Sequence, residues 1–146
     1  MSLFHKTHEN AGPVIFSDKE AVVALLFLVV TADGTIAREE EELVIAASNR
    51  MTLLRAQTIG QFNDTVQKVR DAIDATGREV VFQAGVKGLP LELRETVYAL
   101  AADIVFADPT GYPEERVFLR KLQESLEVSD DLATKVVEVM RIKNRG

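Results

Sequence analysis

The chain contains no cysteine and no tryptophan, and its only histidines among 146 residues are His5 and His8. Without a thiol there is no disulfide, no Cys-ligated zinc and no cysteine nucleophile, a composition suited to a reducing cytosol. With both histidines near the N-terminus, the body of the sequence offers no Glu-x-x-His pair for a di-iron bundle and no histidine base for triad hydrolysis. Phosphate-cradling glycine loops and nucleophile elbows are missing too. Positive charge is scarce. Seventeen Lys and Arg against 23 Asp and Glu leave a net charge of −6, which argues against nucleic acid and leaves cations or basic protein surfaces as partners. No apolar run reaches the roughly 20 residues of a bilayer span. The longest, residues 21–30, is bracketed by Glu20 and Asp33. No apolar stretch precedes Pro13, so no signal peptide is expected.

What is present is an ordinary globular composition, 47% hydrophobic and 27% charged, in a length that suits one domain with its own core. Residues 1–16 have little periodicity and read as an N-terminal arm, leaving 17–146 as a single helical domain. Ser17 and Glu20 form a capping box at the start of a first helix expected over about 18–32. That helix is apolar nearly all round and belongs at the centre of a bundle. A second helix is expected from Arg38, with Leu43, Val44, Ala46 and Ala47 inward. Asn63 is expected to cap a third, over about 64–75, with Val66, Val69, Ala72 and Ile73 inward and Gly77 ending it. Residues 78–87 read as a short helix stopped by Gly88. Pro90 and Pro113 suit the first turns of helices running to about Ala107 and Glu127, and Ser129 opens the last. Arg141, Lys143 and Arg145 complement the negative end of that helix. The expected fold is all-α, a bundle of seven to eight helices built from two pseudo-repeated helical hairpins.

The only chemistry lies at two matching junctions. Asp33-Gly34-Thr35 follows the first helix and Asp108-Pro109-Thr110-Gly111 follows a later one; each leads to a helix opening with two glutamates, six and seven residues after the Asp. These are Glu39 and Glu40 in the first half and Glu114 and Glu115 in the second. An aspartate at a helix C-terminus meets an unfavourable dipole, and carboxylates gathered there repel one another unless a cation neutralises them. Hard divalent ions such as Ca²⁺ or Mg²⁺ take oxygen ligands of this kind. Local geometry offers a second explanation: Asp-Gly is a common turn pair, and a glutamate in the third helical position helps to cap. The pattern is not an EF-hand loop, because Thr35 and Ala37 stand where Asp or Asn would be needed. His5 and His8 could hold zinc were the arm helical; a flexible arm with incidental histidines is the favoured reading.

With these junctions and their flanks, the chain resembles the TerB-like family, named for tellurite resistance. The resemblance rests on Val-Val-Thr-Ala-Asp-Gly-Thr-Ile at 29–36, on Phe-Ala-Asp-Pro-Thr-Gly-Tyr-Pro-Glu-Glu at 106–115 and on Leu-Gln-Glu-Ser-Leu-Glu-Val-Ser at 122–129. It implies an all-helical protein of two similar halves with an acidic cluster for divalent metal, serving stress and tellurite-resistance systems at the inner face of the cell membrane. Residue by residue it points to Asp33 with Glu39 or Glu40, and to Asp108 with Glu114 or Glu115, although Pro109 replaces the usual glycine. The expectation is a cytoplasmic, non-enzymatic, metal-binding adaptor that acts through protein partners, among them a membrane-bound tellurite-resistance component. An interaction module with no metal role and, less favoured, a metal-dependent enzyme stand as alternatives.

Overall fold

The computed structural model describes residues 13–32, 57–107 and 113–145. Six α-helices and one short 3₁₀ turn account for nearly all of them, and no strand occurs among the described residues. The helices are α1 (Asp18–Val30), α2 (Ile59–Thr76), α3 (Arg78–Gly88), α4 (Arg94–Ala107), α5 (Pro113–Ser125) and α6 (Asp130–Lys143). The helix expected from Arg38, and with it the full helix count and the proposed repeat, lies outside the described residues.

Helix α1 is the axis of the bundle. Ser17 Oγ accepts from the Glu20 N–H, and Glu20 Oε1 accepts from the Ser17 N–H at 2.9 Å, closing the capping box. Every residue from 21 to 30 is buried, so α1 has no polar face and must be surrounded. It packs against α2, α3, α4 and α5. Burying such Val, Leu and Phe side chains contributes about 1.5–3 kcal/mol each, more than anything else that holds these helices together. Glycine lets α3 come close: a Cβ on Gly85 would meet Leu25 Cδ2 at 2.8 Å, and one on Gly88 the Phe16 carbonyl oxygen at 2.8 Å.

Two boundaries differ from expectation. Asn63 lies inside α2, which starts at Ile59 under a capping box made by Thr58 and Gln61. A cap that satisfies two backbone donors reciprocally outcompetes a lone Asn one turn later, and Gly60 is tolerated in the exposed first turn. Pro90 precedes a 3₁₀ turn, Leu91–Leu93, before α4 begins. Gly77 ends α2 at φ 91, and Gly88 is the last residue of α3, as expected. Helix α5 stops at Ser125, because Glu127 adopts a left-handed φ of 58 and lets the Val128 N–H reach back to the Gln123 carbonyl.

Candidate functional site

The end of α1 is held by a side chain from another helix. Thr31 is buried and donates its hydroxyl to the Phe27 carbonyl at 2.8 Å. Arg78, the first residue of α3, donates Nη1 to Thr31 Oγ1 and Nη2 to the Leu28 carbonyl, both at 2.9 Å. The guanidinium thus satisfies carbonyl-end groups of α1 and sets a positive charge against the negative end of its dipole. This clamp stands two residues before Asp33.

Beside the clamp lies a cavity of about 390 Å³. Leu28 near the end of α1 and Ala32 just past it, Arg78, Glu79 and Phe82 on α3, and one face of α5 from Pro113 to Lys121 form its walls. Phe82 and Phe118 meet edge to face, with ring centroids 5.4 Å apart. Lys121 Nζ sits 4.6 Å from the Phe82 centroid and donates to Glu79 Oε1. The Glu79 carboxyl is held below the usual carboxylate range, first by the hydrogen bond from Gln83 and then by Lys121.

The expected metal ligands divide sharply. Glu114 is exposed and lines the cavity, whereas Glu115, its neighbour on α5, is only 6% exposed and is engaged there. Adjacent helical positions are about 100° apart, so the two carboxylates cannot share one face. Asp33, Glu39, Glu40 and Asp108 lie outside the described residues. Among the described residues no group of three or more His, Asp or Glu side chains is placed to hold a metal. What the described structure does bring together are the flanks: Ala32, next to Asp33, and Pro113–Glu114, just beyond the second junction, line the same cavity. Glu114 is the carboxylate open to a hard cation approaching from that side, the oxygen donor such an ion takes.

Cationic side chains also stand near the end of α4, which the sequence did not suggest. Arg116 on α5 and Arg141 on α6 each hold a guanidinium carbon 5.3 Å from the Phe106 ring centroid. Phe106 precedes Asp108 by two residues. Lys143, expected only as a complement to its own helix dipole, reaches Asp103 of α4 at 3.0 Å.

The comparison with known families agrees with this helical architecture. The family described as Tellurite resistance protein TerB matches residues 19–136, most of the chain. No curated protein and no solved structure matches it. No helix among the described residues is long and apolar enough to cross a membrane. The match begins in the first turn of α1 and runs into α6, taking in most of the helical core, and the chain therefore belongs to the TerB tellurite-resistance family.

Proposed function

We propose that the protein is a non-enzymatic, divalent-metal-binding helical adaptor of tellurite resistance or a related stress response. It acts in the cytoplasm through protein partners, among them a membrane-bound tellurite-resistance component at the inner face of the membrane. The ligands proposed are Asp33 with Glu39 or Glu40 and Asp108 with Glu114 or Glu115; of the last pair, Glu114 is open to the cavity. Membership of the TerB family supports the setting. The observation that carries the metal reading is the convergence of the flanks, since Ala32 and Pro113–Glu114 border one cavity although about 80 residues separate them in sequence. Oxygen donors at those positions would favour Ca²⁺ or Mg²⁺ over softer ions.

A second reading has its own observation. Arg78 near the first junction, and Arg116 and Arg141 near the second, supply positive charge that can offset the carboxylates without a metal. On that reading the acidic charge the arginines leave uncompensated, on a chain of net charge −6, docks a basic partner. Calorimetric titration of Ca²⁺, Mg²⁺, Mn²⁺ and Zn²⁺ into the wild-type chain and into Asp33→Asn/Asp108→Asn separates the two. Saturable binding by the wild type that the double variant loses is expected. Identical heats from both proteins would remove the acidic junctions as a metal site.

A further inference from the structure

The cavity between α1, α3 and α5 has more structure than an ion site requires. Its floor is apolar and aromatic, made by Leu28, Phe82 and Phe118, and Val117, 71% exposed, stands at its mouth. Its volume of about 390 Å³ falls within the roughly 300–1,000 Å³ typical of small-molecule sites. Among the described residues four charged side chains border it, and three are committed. Arg78 is spent on Thr31 and the Leu28 carbonyl, and Glu79 and Lys121 pair with each other. Glu114 makes no hydrogen bond or ion pair among the described residues.

We propose that this cavity binds a small amphipathic amine, its aromatic or branched aliphatic body against Phe82 and Phe118 and its ammonium group at Glu114. The edge-to-face phenyl pair presents ring faces and edges that a further aromatic group can extend. The uncommitted negative charge at the rim, on a chain of net charge −6, selects a cation as the head group. An organic anion would find the nearby Arg78 and Lys121 already engaged. This inference does not depend on metal binding.

The test titrates three probes with one ring system, 1-naphthylmethylamine, 1-naphthylmethanol and 1-naphthoate, into the full chain, followed by chemical-shift changes. A chelator is present throughout, so that failure of the metal reading and failure of this one remain distinct. In the wild type the amine should bind about two- to fivefold tighter than the alcohol, as an exposed charge pair allows. Glu114→Gln should erase that preference while keeping the binding of the ring. Val117→Trp should fill the mouth and abolish saturable binding of all three, whereas Val139→Trp, on an exposed position of α6 away from the cavity, should bind as the wild type does. The proposal is overturned if no probe saturates, if the naphthoate binds as tightly as the amine, or if Val117→Trp leaves binding unchanged.

Discussion

Arg78 follows the glycine that ends α2, and its side chain crosses to the carbonyl end of α1, where it is partly buried. A hydrogen bond to a charged group contributes about 1.5–3 kcal/mol, and losing the donor leaves its buried acceptor unpaired. Arg78→Ala should therefore lower stability by about 1.5–3 kcal/mol in urea unfolding. Arg78→Lys should recover only a minor part, because an ammonium cannot span Thr31 and Leu28 with a planar fork. An arginine this far in sequence from the helix it caps has no local signature, so the clamp could not be read from the chain. Glu115 teaches the same lesson at single-residue scale. A glutamate at the head of a helix reads as exposed whichever of two adjacent positions it takes, and only the packing of α5 decides that Glu115 is buried while Glu114 faces outward.

At the scale of elements, α1 was the most legible part of the molecule. Its capping box and unbroken apolar run dictate both where it starts and that it lies at the centre, because no orientation of such a helix leaves a face for water. The approach of α3 to it is tighter than the pattern reveals. At Gly88 an added Cβ would press on a backbone oxygen, while at Gly85 its nearest neighbour is the end of the Leu25 side chain. Backbone yields less than a side chain does. Gly88→Ala should cost about 1–3 kcal/mol from overpacking. Gly85→Ala should cost less, since alanine's helix propensity returns up to about 1 kcal/mol and the atom it meets first is the end of the Leu25 side chain. Thermal unfolding of the two variants side by side checks the order, and a milder Gly88→Ala would contradict the packing described. The misplaced start of α2 has an equally local cause, two competing caps five residues apart, Thr58 and Asn63, of which the reciprocal one prevails.

Across the whole molecule, three ion pairs among the described residues join helices distant in sequence: Glu20 with Lys68 at 2.9 Å, Glu79 with Lys121, and Asp103 with Lys143 at 3.0 Å. At Glu20 burial works to raise the pKa, but the Ser17 N–H and Lys68 together outweigh it and leave the carboxyl below its ordinary 4.5. A carboxyl depressed in the folded state binds protons more readily in the unfolded chain, so its contribution is complete above about 4.5 and fades as pH falls through the folded value. Glu20→Gln keeps an acceptor for the cap and removes the charge. It should therefore be less stable than the wild type by up to about 1 kcal/mol at pH 7. That gap should shrink as the medium is acidified below about pH 4.5. A gap independent of pH would show that the loss is one of shape and not of charge.

Composition and periodicity were enough to determine an all-helical chain, its buried axis, most of its helix ends and the acidic character of its two junctions, because capping, turn formation and burial of an apolar run are local in origin. The cavity, the Arg78 clamp, the guanidinium groups on Phe106 and the opposite fates of Glu114 and Glu115 arise where α1, α3, α4, α5 and α6 meet. Those contacts join residues dozens of positions apart, and their geometry depends on how closely helices pack, which no spacing along the chain encodes.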